Sequence, residues 1–172
     1  MLASLGLIIL PLLALTEASP LHRRFTSATI VSGRDGRCLG VANTPGVGSA
    51  VQSVACNAAG YNVRWDINPG SGSVILSGTG LALDAGSNPG NNGALKVWTS
   101  YPGLYQQTWY LTGDNRIAIT GGNQCLDEGV NGVQTYQCTT GNTNQIFNVN
   151  GGGGTPSSSS SSAAPSCTCP TS

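Results

Sequence analysis

Two sets of residues in the middle of this chain have the types and spacing to hold a hydroxyl-rich molecule. In one, Asp127 is followed by Gln134, Tyr136, Asn144 and Gln145; in the other, Asp84 is followed by Lys96, Trp98, Gln106 and Gln107. A carboxylate accepts hydrogen bonds from two neighbouring hydroxyls, an aromatic ring covers an apolar C–H face, and amides complete the polar contacts. Catalysis is a poorer match. Hydrolysis of a glycosidic bond needs two carboxyl groups facing that bond, whereas Asp127 and Glu128 are sequence neighbours that an extended strand would point to opposite faces. No G-x-S-x-G, phosphate-binding loop or dinucleotide fingerprint is present, and the only histidine, His22, lies near the N-terminus. The expectation is a binding protein and not an enzyme, with no cofactor and no metal. Cys167 and Cys169 have no histidine beside them to complete a zinc site.

These residues must be positioned by strands. Helical periodicity is nearly absent, and Gly, Asn and Pro clusters interrupt the chain every eight to twelve residues or so. Between the clusters lie short β-prone runs at 28–31, 50–54, 74–76, 95–98, 108–111, 117–119, 133–136 and 146–149. That pattern predicts an all-β sandwich or barrel and does not choose between them.

A threefold internal repeat narrows the choice. The first copy carries Cys38-Leu39-Gly40-Val41, then Gln52 to Cys56, then Asn62-Val63-Arg64-Trp65. The second carries Leu81-Ala82-Leu83-Asp84, then Lys96 to Ser100, then Gln106-Gln107-Thr108-Trp109. The third carries Cys125-Leu126-Asp127, then Gln134 to Cys138, then Asn144-Gln145-Ile146-Phe147. The offset from Cys56 to Asn62 recurs from Ser100 to Gln106 and from Cys138 to Asn144.

With these motifs, residues 25–150 resemble the ricin B-chain-like lectins, also classed as family 13 carbohydrate-binding modules. The resemblance implies a β-trefoil of twelve short strands in three pseudo-symmetric repeats, with Trp65, Trp109 and Phe147 meeting in a shared core. Gln107-Thr108-Trp109 alone matches the family's Q-x-W motif strictly; Val63 replaces the Gln in the first copy and Phe147 the Trp in the third. The resemblance further implies disulfides Cys38–Cys56 and Cys125–Cys138. Leu81 and Ser100 are read as the equivalent places in the second copy.

In the third repeat the resemblance makes Asp127 the acceptor, Tyr136 the stacking ring, Asn144 the amide, Gln145 the brace of Asp127, and Gln134 part of the pocket wall. The short connection from Asp127 to Gln134 leaves room for Tyr136 to be displaced. In the second repeat, Asp84, Trp98, Gln106 and Gln107 take these roles, with Lys96 in place of a polar Gln. The first repeat has Gly40 for the acid and Val54 for the ring, and is expected to be structural. The implied ligands are galactose-type glycan ends or plant-wall polysaccharides such as xylan.

The ends of the chain read differently. Residues 1–18 look like a secretory signal, and Arg23-Arg24 looks like a dibasic maturation site closing a pro-segment over 19–24. Residues 151–172 read as a Gly/Ser/Pro-rich linker and tail without a core. A secreted, extracellular protein is expected, with no membrane span once the signal is removed. Arg34, Arg37, Arg64, Lys96 and Arg116 form no basic stripe, so no nucleic-acid partner is expected. Two further readings stay open: a β-trefoil protease inhibitor with Asn88–Gly93 as its projecting loop, and an orphaned carbohydrate-binding module of a glycoside hydrolase.

Overall fold

The computed structural model describes residues 24–151. The expected signal, most of the pro-segment, and the tail with Cys167 and Cys169 lie outside the described residues.

Among the described residues, fourteen short strands account for most of the regular structure. They are β1 (Phe25–Ser32), β2 (Cys38–Ala42), β3 (Val51–Val54), β4 (Tyr61–Asn62), β5 (Trp65–Ile67), β6 (Gly70–Gly72), β7 (Ile75–Leu76), β8 (Leu81–Asp84), β9 (Lys96–Thr99), β10 (Trp109–Leu111), β11 (Ile117–Ile119), β12 (Gln124–Gly129), β13 (Gly132–Gln137) and β14 (Phe147–Asn150). Two 3-10 turns, Tyr105–Gln107 and Thr143–Gln145, precede β10 and β14.

Pairing repeats three times. β1 meets β2 at Val31 and Cys38, β7 meets β8 at Ile75 and Ala82, and β11 meets β12 at Ala118 and Cys125. The hairpins β2–β3, β8–β9 and β12–β13 then share one register, with Gly40 opposite Gln52, Asp84 opposite Lys96, and Asp127 opposite Gln134. The barrel strands pair in the runs β14–β1–β5–β7 and β10–β11. A bridge from Pro69 to Leu111 and a hydrogen bond from Phe147 N–H to the Asn115 carbonyl (2.8 Å) join those runs. A barrel capped by three hairpins is a β-trefoil. Four strands fall in each repeat, and β4 and β6 are short additions to that set.

The core lies on the pseudo-threefold axis. Trp65, Trp109 and Phe147 are buried there with Ile30, Leu39, Leu76, Leu83, Ile119 and Leu126. Each large side chain of this kind contributes about 1.5–3 kcal/mol on burial. The indoles are also anchored: Trp65 Nε1 donates to the Leu39 carbonyl (2.9 Å) and Trp109 Nε1 to the Leu83 carbonyl (3.0 Å).

Both expected disulfides are formed, Cys38–Cys56 and Cys125–Cys138, each within one repeat. The hairpin register corrects one sequence equivalence. Ala82, not Leu81, stands where Cys38 and Cys125 stand, because it pairs with Ile75 and with Trp98. A chain-entropy estimate gives about 3 kcal/mol for a loop the size of that closed by Cys125–Cys138. Replacing both cysteines by Ala is expected to lower the urea-unfolding free energy by about that amount; no change in the transition midpoint would contradict this.

Candidate functional site

The third-repeat site is built on the β12–β13 hairpin. Direct pairing of Asp127 with Gln134 brings their side chains together, and Gln134 Nε2 donates to Asp127 Oδ1 (3.2 Å). The second carboxylate oxygen accepts from Asn142 Nδ2 (3.2 Å). Asn142 is the N-cap of the Thr143–Gln145 turn, and its Oδ1 accepts from Asn144 N–H (3.1 Å). One amide thus orders the turn and orients the acid. Asp127, Gln134, Tyr136, Asn142 and Asn144 line a depression of about 240 Å³, with Gly129 and Val130 at its edge. Asp127 is 3 % exposed at its base, while Tyr136 is 36 % exposed on its wall. Gly129 has a packing reason: a Cβ there would lie 2.6 Å from Gln134 Nε2, so only glycine leaves the amide room to reach Asp127.

Two expectations change here. Tyr136 is not shifted in register: it stands opposite Cys125 as Trp98 stands opposite Ala82, because the short connection closes in a tight turn at Val130-Asn131. Gln145 does not brace Asp127. Buried completely, it donates from Nε2 to the Gln137 carbonyl (2.9 Å) and accepts from Thr139 N–H (2.9 Å), tying the loop that leads into its own turn. Asn142 does the bracing instead, from the turn-capping position that Leu104 fills in the second repeat. The Asn-x-Asn spacing of Asn142 and Asn144 ahead of the motif was the available sequence signal.

In the second repeat the Gln does brace the acid. Gln107 Nε2 donates to Asp84 Oδ2 (2.8 Å) and to the Thr99 carbonyl (3.0 Å), while Asp84 Oδ1 accepts from Gly86 N–H (2.7 Å). Half-buried Gln106 contributes its backbone carbonyl to Ala85 N–H (3.0 Å). Trp98 is 38 % exposed, but Lys96 Nζ sits 4.5 Å from its ring centroid. A cation on that face is worth about 0.5–1 kcal/mol and must be moved before an apolar ligand face can stack there. Lys96→Gln is therefore expected to strengthen any sugar binding at this repeat by about threefold. Titration of the Asp127→Ala background would check it, and weaker binding would contradict it.

The first repeat is closed. A Cβ on Gly40 would come within 2.6 Å of Val54 Cγ2 and 3.2 Å of Val63 Cγ1, so no acid fits, and Val54 packs with Cys38 and Val63. The Asn88–Gly93 loop does not project as an inhibitor loop would. Gly93 bridges to Thr135, Thr135 Oγ1 donates to the Gly90 carbonyl (2.7 Å), and Asn91 Oδ1 accepts from Gln137 N–H (2.8 Å).

Asp127 and Glu128 face opposite sides of β12, the first toward Gln134 and Asn142, the second toward Ser53, Asp35, Arg37 and Arg34. Burial raises the Glu128 carboxyl pKa above its ordinary value, with Asp35 adding to the shift and the Ser53 hydroxyl, Arg37 and Arg34 opposing it. A pKa raised by folding gives stability that is present below the unfolded value and is lost as pH rises through the folded one. Glu128→Gln is thus expected to raise the thermal midpoint relative to wild type at neutral pH, and to lose that advantage in acid. A variant less stable than wild type at neutral pH would contradict this.

No family model matches the chain, and no curated protein matches it in sequence. Solved structures do resemble it. The designed threefold-symmetric protein ThreeFoil superposes with a TM-score of 0.60 at 21% identity, covering 72% of this chain and 97% of its own. The C-half of the earthworm R-type lectin, solved in complex with GalNAc, gives 0.58 at 19% identity, covering 72% and 96%. GalNAc-T7, solved with UDP, GalNAc and Mn2+, gives 0.57 at 18% identity, covering 76% of this chain but 24% of that one. At such identities the likeness speaks for the fold: the described domain is a β-trefoil.

Proposed function

We propose that residues 25–150 are a secreted lectin domain that holds a galactose-type or xylan-like sugar in the third-repeat depression. The observation that carries this is the convergence of Asp127, Gln134, Tyr136, Asn142 and Asn144 on one small hollow. Asp127 accepts from two adjacent sugar hydroxyls, Tyr136 covers the C–H face, and Asn144 closes the rim. Gln134 and Asn142 hold the carboxylate before the ligand arrives, which lowers the ordering cost of binding. The earthworm lectin, a structural neighbour solved with GalNAc, and a mutant of its C-terminal domain solved with 6'-sialyllactose, support a sugar as the ligand class. Two disulfides suit an oxidising extracellular setting, in keeping with the signal-like N-terminus.

A hollow this shallow binds one sugar weakly, with Kd on the order of tens of micromolar to millimolar, or about −4 to −6 kcal/mol. The second repeat, its ring face held by Lys96, is the weaker site. Tyr136→Ala is expected to abolish retention of the secreted protein on immobilised galactose and xylan columns while leaving its thermal midpoint unchanged within about 2 °C. Retention equal to wild type would remove Tyr136 from the site.

The Ser-rich segment that follows the domain favours a second reading of the same chemistry, in which the trefoil serves as the carbohydrate-binding module of a glycoside hydrolase.

A further inference from the structure

Glu128 faces a cleft that the third-repeat site does not use. It lies where the first repeat meets the third and has two adjoining parts. One, of about 380 Å³, is walled by Arg34, Asp35, Arg37, Ser53 and Glu128. The other, of about 300 Å³, is walled by Gln52, Val54 and Tyr61. Arg37, Ser53, Asn131 and Gly132 border both, so the two parts adjoin at these four residues. Each part is larger than the third-repeat depression, so together they take more than one sugar unit.

The lining is fixed before any ligand arrives. Arg34 Nη1 donates to the Glu128 carbonyl (2.6 Å), and Arg37 Nε donates to the Ser53 carbonyl (3.2 Å) and hydroxyl (3.3 Å). The Tyr61 hydroxyl donates to Gln52 Oε1 (3.0 Å), which leaves the Gln52 NH2 as a donor. Arg34 and Arg37 balance Asp35 and Glu128, so the wall carries no net charge and suits a neutral ligand. Glu128 is 3 % exposed, and burial raises its carboxyl pKa although the Ser53 hydroxyl, Arg37 and Arg34 oppose the shift. A hydroxyl donated to it would relieve that cost.

We propose that this cleft is a second saccharide site, for a neutral oligosaccharide of two or more units, with Glu128 as hydroxyl acceptor and Tyr61 as the aromatic contact at the far end. The first repeat cannot hold an acid at Gly40 or a ring at Val54, and the cleft supplies both from elsewhere, the acid from β12 and the ring from β4. It stands back to back with the third-repeat depression across one hairpin, since Gly129 and Val130 edge both. The two sites use opposite faces of β12 and are independent in chemistry.

The test is an amide-resolved NMR titration of the secreted protein with xylotetraose and, separately, with an N-acetyllactosamine-type tetrasaccharide. Wild type, Asp127→Ala, Glu128→Gln and Tyr61→Leu are compared, with thermal unfolding to confirm that each is folded. Saturable shifts at Ser53, Asn131 and Gly132 are expected with at least one tetrasaccharide, and they persist in Asp127→Ala. Glu128→Gln and Tyr61→Leu are each expected to weaken those shifts' apparent affinity by about tenfold. Shifts at Tyr136 and Asn144 are expected to be unchanged in both. Absence of saturable cleft shifts with both sugars, their loss in Asp127→Ala, or indifference to both cleft variants would overturn the proposal. Cleft shifts without any response at Tyr136 and Asn144 would uphold it and overturn the third-repeat reading instead.

Discussion

Asp127→Ala is expected to eliminate measurable sugar binding at the third repeat. The carboxylate is the one charged acceptor among the residues that line the depression, and hydrogen bonds to a charged partner are worth about 1.5–3 kcal/mol each. Losing two of them removes most of an interaction that totals only about 4–6 kcal/mol, so a millimolar-range sugar no longer saturates the site. The fold should survive. Gln134 and Asn142 lose their shared partner, but both line a depression that water can enter, so the stability cost is about 1 kcal/mol. Calorimetric titration paired with thermal unfolding separates the two effects. A folded Asp127→Ala protein that binds as tightly as wild type would show that the carboxylate is only a structural acceptor.

Trp109→Ala is expected to have the largest effect on stability. The side chain is buried in the same core cluster as the other two aromatics, and truncating a buried Trp costs about 3–5 kcal/mol through lost transfer energy and the cavity left behind. It also strips the Leu83 carbonyl of its indole donor. Domains of this size are stable by about 5–15 kcal/mol, so a large part of the total would go. Trp109→Phe is the informative companion. Phe147 fills the equivalent slot in the third repeat without an N–H, so Trp109→Phe should cost about 1–2 kcal/mol, mostly the unpaired carbonyl. Urea unfolding of the two variants checks this, and equal losses would mean that the hydrogen bond, not the ring volume, dominates.

Much of this was legible in the sequence because the trefoil writes its repeat into the chain three times. The motif aromatics and the hairpin acids could be placed before any coordinates, and the family resemblance implied the cysteine pairing. β2, β8 and β12 were the hard elements: Cys-Leu-Gly-Val-Ala and Leu-Ala-Leu-Asp are rich in residues with weak strand preference, and only pairing with β3 and β9 makes them strands. These are the elements that carry Asp84 and Asp127. The brace on Asp127 differs from the expected one because Gln107 and Gln145 share a motif position but not a neighbour: the turn is capped by Leu104 in one repeat and by Asn142 in the other. Placement of Lys96 over Trp98 follows from their position two residues apart on one face of β9. In the sequence Glu128 is marked only as a neighbour unable to share a reaction with Asp127. Its burial between two repeats depends on contacts distant in sequence, which no local pattern records.

The most direct test of the glycan-binding account is a glycan array probed with the secreted protein beside its Asp127→Ala and Asp84→Ala variants. The account predicts wild-type binding to galactose-type or xylan-like glycans, a loss of most of that signal in Asp127→Ala, and a smaller loss in Asp84→Ala. The same blank array from all three proteins would contradict it, and so would wild-type binding that neither substitution reduces.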